Sequence, residues 1–276
     1  MATVQQPTRR PSQLAPVPDG RARRDWTRVW QLVTFLVAIA VWAGVCRAGF
    51  VSADALPTPL SVLRAFADTV GTAGFWEAVG ETLRGAIVGL LLATLVGVPL
   101  GLVTGTYAAA ERSSRLLVDV LRSFPVIALL PVFLLVLGSK PSMKITVVFI
   151  ACVFPIFLQA QYGARGVDPT VSETVRSYRI PRLLRFRKVV LPSATPSVMT
   201  GLRLAATTSV LVALGVEILT TLPGMGHMVV QGQQNGNAPT AFAYIFTAGL
   251  IGFAINKGSE LVERRLLRWR PPAVAA

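Results

Sequence analysis

The 276-residue sequence is 53% hydrophobic, only 14% charged and has a mean hydropathy of +0.58, which leaves too little polar surface to coat a soluble globule of this size. A net charge of +14 would suit nucleic acid, but the 27 Lys and Arg residues sit in flanks and loops between apolar stretches, not on one solvated stripe, so that class is set aside. Cys46 and Cys152 lie inside apolar stretches with no ligand-like spacing, so no disulfide, metal site or cofactor is expected.

Residues 1–28 are polar, with Pro7, Pro11, Pro16 and Pro18 among six arginines, which predicts a disordered basic tail. The apolar stretch 29–49 is too long and too far from the start for an ordinary signal peptide and is predicted as the first transmembrane helix. Residues 50–82 carry Asp54, Asp68, Glu77 and Glu81, and Leu60, Leu63 and Ala67 at helical spacing predict a short amphipathic helix at an interface. Further apolar stretches cover 83–106, 116–137, 144–161, 197–219 and 241–260, each near the roughly 20 residues that cross a bilayer core of about 30 Å. The fold class expected is an all-α membrane protein of about six transmembrane helices. Most cations fall in the tail, after the second span, after the fourth span and at the C-terminus, which places both termini in the cytoplasm.

Three features lie inside the spans. Gly85, Gly89, Ala93, Gly97, Gly101 and Gly105 put a small residue at every fourth position, which lets helices approach closely. Each four-residue step advances about 40° around an ideal helix, so the row is expected to touch more than one neighbour, and Pro99 to bend it. Pro125, Pro131 and Pro155 remove backbone donors where lipid cannot replace them, which makes Ser123, Phe124 and Pro125 candidates for lining a pathway, beside the plainer reading as a kink. Charges within spans call for partners: Asp119 and Arg122 can pair on one face, Arg203 lies near the inner end of its span, and Glu217, near the outer end, is a further pathway candidate.

Between the fourth and fifth spans, residues 163–205 are too polar to cross a membrane. Asp168 can cap a helix whose first turn holds Pro169, Val171, Val175 and Tyr178 give it one apolar face, and Pro181 stops it. Pro192 and Pro196 are expected to turn the chain before the fifth span. A short surface helix framed by cations can be held by anionic headgroups or can dock a soluble partner.

Residues 173–192 resemble the cytoplasmic coupling motif of permease subunits of binding-protein-dependent ABC importers, which runs Glu-Ala-Ala, then a Gly, then Ile or Val-Leu-Pro. The matching residues here are Glu173, Thr174 and Val175, then Val190, Leu191 and Pro192. Leu121 to Pro125, Phe154 and Pro155, Gly201 to Ala205, Glu217 to Leu219 and the ending 261–270 resemble the nitrate, sulfonate and taurine branch, and the resemblance spans residues 29–270. It implies a type I ABC importer permease architecture with a coupling helix near 169–181 and a short tail at 271–276. It also implies contact with the ATPase through Glu173, Thr174, Val175, Arg176, Ser177, Tyr178, Arg179, Leu191 and Pro192. Arg179 stands where the family has Gly, a change that would alter the docking geometry if that glycine serves a turn.

The resemblance further implies cytoplasmic ABC ATPase subunits, an extracytoplasmic substrate-binding protein and a second permease subunit, identical or different, in the cytoplasmic membrane of a prokaryote. No GxxxxGK[ST] loop occurs in the chain, so it is expected to be a transport subunit and no enzyme, with ATP handled by another subunit. The cargo implied is a small anion such as a sulfonate, taurine or nitrate. The rival reading is a secondary transporter or channel that needs no ATPase, which would favour ionisable groups near mid-membrane.

Overall fold

The computed structural model describes residues 20–49, 51–52 and 55–268, so most of the tail expected at 1–28 and the ending from 269 lie outside the described residues. The chain divides into two compact units, 1–52 and 53–276. The first holds α1 (Gly20–Arg47), which begins upstream of the span expected at residue 29. Its stretch Val29–Arg47 is long and apolar enough to cross a membrane.

In the second unit α2 (Pro59–Val70) is the predicted amphipathic helix, started by Thr58, whose hydroxyl accepts from the Ser61 N–H at 3.2 Å, and by Pro59 in the first turn. It has two apolar faces. Leu60, Leu63 and Ala67 stay exposed, as a helix lying on an interface requires, while Val62 is buried and the Phe66 ring meets Phe75 and Phe246 edge-on at 6.2 and 5.8 Å. α3 (Ala73–Thr106) follows after one turn, capped by Thr72.

The long helices α3, α6 (Pro141–Arg165) and α9 (Leu191–Leu219) form the centre, and α10 (Met225–Gln234) and α11 (Ala238–Leu266) complete the unit. α1, α3, α6, α9 and α11 are the five helices long and apolar enough to cross a membrane among the described residues, α9 being counted with the helical turns that precede it. The remaining expected span, 116–137, is split. α4 (Ala108–Ser123) ends at Phe124 and Pro125, both extended, and the chain resumes as a 3₁₀ turn over Val126–Leu129 and then α5 (Leu130–Leu137). Pro125 supplies the break, whereas Pro131 falls in the first turn of α5, where no donor is needed.

The small-residue row of α3 does not spread over several neighbours as its drift suggested. A Cβ on Gly89 would lie 2.6 Å from Val148, one on Gly97 3.1 Å from Ile156 and one on Gly105 2.7 Å from Ala164, all on α6. Gly85 and Gly101 meet Lys144 and Ala160 in the same register. Both helices thus step four residues at a time, Lys144, Val148, Ile156, Ala160 and Ala164 forming a matching row, and α6 follows the drift of α3 instead of crossing it once. Buried Ala86, Ala93, Val147, Cys152, Ala205, Val212 and Ala213 fill the shared core with α9.

Pro192 and Pro196 do not turn the chain either. From Arg182 to Leu219 it is one helical run of 38 residues: α8 (Arg182–Arg185), a π turn over Phe186–Val190, then α9. Leu191 donates its N–H to the Phe186 carbonyl, and this widened turn is followed at once by Pro192 in the first turn of α9, where its missing donor and ring are tolerated.

Candidate functional site

The polar loop between α6 and α9 folds as a nine-residue helix, α7 (Pro169–Ser177). Asp168 starts it by accepting from the Thr170 N–H at 2.7 Å, and that bond holds the carboxyl below the usual carboxylate range. Val175 faces inward and is buried, while Glu173, Thr174, Arg176, Ser177, Tyr178 and Arg179 are exposed. Among the described residues the Glu173 carboxylate makes no ion pair. Exposed Val171, Tyr178 and Leu183 set apolar side chains among these polar ones. Leu191 is partly exposed and Pro192 half-buried at the start of α9, close along the chain to α8.

The helix ends in a Schellman turn. Ile180 donates its N–H to Val175 O at 3.1 Å and Arg179 donates to Arg176 O at 3.0 Å, which places Arg179 in the left-handed position that such a turn demands. Its φ is +50°, the one positive value found at a non-glycine among the described residues. A glycine would take this position without strain, and this chain makes the turn while setting a long cation in it. The Cβ in that conformation costs roughly 1–2 kcal/mol.

Ser123, Phe124 and Pro125 form the break between α4 and the 3₁₀ turn and are all exposed. The Ser123 hydroxyl is turned back onto Asp119 O at 2.7 Å, and Asp119 pairs with Arg122 at 3.0 Å as the spacing predicted. Arg203 is paired across to Glu263 of α11 at 3.2 Å.

Glu217 is placed very differently from an open pathway wall. It is 0% exposed, and one carboxylate oxygen lies 2.8 Å from the ammonium of Lys144, itself 2% exposed. Lys144 spends its other donors on the carbonyls of Glu81 at 3.0 Å and Pro223 at 3.1 Å. The second Glu217 oxygen accepts from the Thr82 hydroxyl at 2.8 Å and the Gly226 N–H at 3.0 Å, and Thr82 accepts in turn from the Met225 N–H at 2.8 Å. Gly224, with φ +150°, lies so close that a side chain there would overlap the carboxylate. One ion pair thus ties α3, α6, α9 and the start of α10 together at one end of the bundle. Sequence reasoning put Lys144 at the outer start of the fourth span and gave it no partner. The signal was available, since Lys144 opens one span and Glu217 closes the next, so the two helix ends meet at the same membrane face.

Comparison with known proteins bears on both ends. The family described as binding-protein-dependent transport system inner membrane component matches residues 97–268. SsuC of Bacillus subtilis, whose name assigns it to aliphatic sulfonates transport, is 29% identical over 91% of this chain and 90% of its own length. The nitrate import permease protein NrtB of Leptolyngbya laminosa is 26% identical over 85% of this chain and 86% of its own, and the taurine transport system permease protein TauC of Escherichia coli is 25% identical over 86% and 88%. Among solved structures, an inward-facing conformation of the MetNI methionine ABC transporter superposes with a TM-score of 0.61 at 20% identity, covering 68% of this chain and 94% of that one. At that identity the superposition speaks for the fold, which is that of a type I importer permease.

Proposed function

The chain belongs to the family of binding-protein-dependent transport system inner membrane components, and from that premise we propose that it is the translocation subunit of an ATP-driven importer for a small anion of the sulfonate, taurine or nitrate class. The names of its relatives supply the cargo class. In this reading cytoplasmic ATPase subunits bind α7, an external binding protein delivers the cargo, and a second permease subunit, the same chain or another, completes the pathway. Both termini lie in the cytoplasm of a prokaryotic cell, on the side of α7, and the Lys144–Glu217 pair lies at the external end.

The observation that carries the reading is the shape of α7: a short helix fixed at both ends by its own capping bonds, with one buried residue and an exposed mixed face. A surface so rigid and so little covered fits a docking knob. Glu173, Thr174, Ser177 and Tyr178 supply the contact, Val175 anchors it from beneath, and Arg176 and Arg179 present cations to an acidic rim of the ATPase. Leu191 and Pro192 seat the start of α9 beside it. Closure of the ATPases on ATP would push α7 and move the packed helices as a body, a transition of the kind that switches such pathways. The permease itself makes and breaks no covalent bond. The break at Ser123, Phe124 and Pro125 gives that motion a place to bend.

The test is substrate-stimulated ATPase activity of the reconstituted complex. Replacing Glu173 by Ala, or deleting residues 171–180, is expected to abolish the stimulation. Stimulation at the unaltered level in both variants would refute the assignment of α7.

A further inference from the structure

A second polar feature lies apart from both the docking surface and the buried pair. Between α4 and the last turns of α6 is a cleft of about 280 Å³ whose walls carry Arg115, Arg122 and Arg165 against Glu111 and Asp119. Arg122 is held by Asp119 at 3.0 Å and Arg165 is ion-paired with Glu111. Arg115 has no ion pair among the described residues. The cleft therefore holds one positive charge more than its own carboxylates neutralise.

One monovalent anion closes that balance. Each guanidinium carries five N–H donors, more than one carboxylate can accept, so donors remain on Arg122 and Arg165 as well. The Gln161 amide and the Tyr162 hydroxyl also line the cleft, and neither makes a side-chain hydrogen bond among the described residues. Val118 and Leu158 add an apolar stretch of wall that suits a short organic tail.

We propose that this cleft binds one small monovalent oxyanion of the sulfonate or nitrate type, with Arg115 as its anchoring cation. The proposal rests on the importer reading above, which makes the cleft a station on the cytoplasmic side. Glu111 and Asp119 compete with the ligand for the same guanidinium groups and keep its binding weak, as a site that must release its cargo requires. A divalent anion overshoots the charge balance and binds less well. The phosphate of an anionic lipid headgroup offers the same chemistry, so the two sources must be separated by experiment.

The permease–ATPase complex, without the external binding protein, is placed in phosphatidylcholine nanodiscs and titrated calorimetrically with methanesulfonate. Methanesulfonate is expected to bind, and sulfate to bind more weakly. Arg115→Gln weakens methanesulfonate binding by about tenfold, the loss of one charge-assisted contact. Glu111→Gln strengthens it, because a competing carboxylate is gone, and damage to the fold would not produce such a gain. Arg112→Gln, exposed on the same helix but outside the cleft, leaves it unchanged. Absence of binding in these discs, wild-type affinity in Arg115→Gln, or weakening in Glu111→Gln overturns the proposal. So does saturation of the cleft by added phosphatidylglycerol, which would assign it to lipid. Import measured with the binding protein restored separates this site from the functional reading: sulfonate import untouched by Arg115→Gln sinks the cleft alone, while a complex that imports no anion yet binds methanesulfonate through Arg115 sinks the importer assignment alone.

Discussion

The two ends of the central bundle handle charge in opposite ways. At one end Lys144 and Glu217 are sealed from solvent, and the ammonium and both carboxylate oxygens have partners, in a knot that joins four segments. At the other, α7 leaves Glu173, Arg176 and Arg179 exposed, sits on one buried valine and holds its last turn in a conformation that arginine resists. A buried pair of this kind adds little net stability over an apolar pair of the same shape, yet it fixes which groups must meet. The contrast is between an end specified internally and an end left open, which the docking proposed above would complete.

Breaking the sealed end should have the largest effect. Lys144→Met leaves a carboxylate buried without its counter-charge and is expected to lower stability by roughly 3–5 kcal/mol, read from thermal unfolding in detergent or nanodiscs. The double variant Lys144→Met/Glu217→Leu should recover most of that loss. A double variant as unstable as the single one would mean that the hydrogen bonds around the pair matter more than its charges.

Next comes the seam that carries the knot along the bundle. Gly89→Val would force a side chain into Val148 and is expected to cost roughly 1–3 kcal/mol by overpacking, seen in the same unfolding assay. Gly74→Ala, where a Cβ meets nothing within 4 Å, serves as its neutral control.

The helical class, five of the six apolar spans, the amphipathic α2, the Asp119–Arg122 pair and the capped α7 were legible in the sequence, because each depends on local pattern or on contacts a few residues apart. What was not legible depends on where helices meet. The drift of the glycine row looked like several partners because a single helix was considered alone; the row Lys144, Val148, Ile156, Ala160 and Ala164 shows that its partner drifts with it. Pro192 and Pro196 read as turns because a proline in a helix is usually a stop; a preceding π turn removes that objection for Pro192, and Pro196 is carried inside α9. The pairing of Lys144 at the start of its span went unread because burial of a lysine is too costly to expect unless its carboxylate is already known.

The exposed end should respond more gently. Arg179→Gly removes the Cβ from a left-handed position and is expected to steady the end of α7 by about 1 kcal/mol, measured as slower amide hydrogen exchange at Tyr178 and Ile180. If the arginine also serves docking, the same variant will weaken ATPase binding, which separates the local role from the partner role.

The smallest effect concerns acid. The Asp168 carboxyl is depressed because it accepts from Thr170, so its capping contribution is fully present at neutral pH and is lost only as pH falls through its lowered value. Asp168→Asn keeps an acceptor at the cap, and exchange at α7 in that variant should lose its acid dependence.

The unbroken run from Arg182 to Leu219 has a mechanical meaning. At 1.5 Å per residue it is a rod of about 57 Å, with its near end beside α7 and its far end bolted by Glu217 to the opposite face. The π turn near its base interrupts the regular hydrogen-bond ladder of the run. A shift of one residue there would rotate one segment against the other by about 100°, so in the docking proposed above a push on α7 would reach the far end as torque.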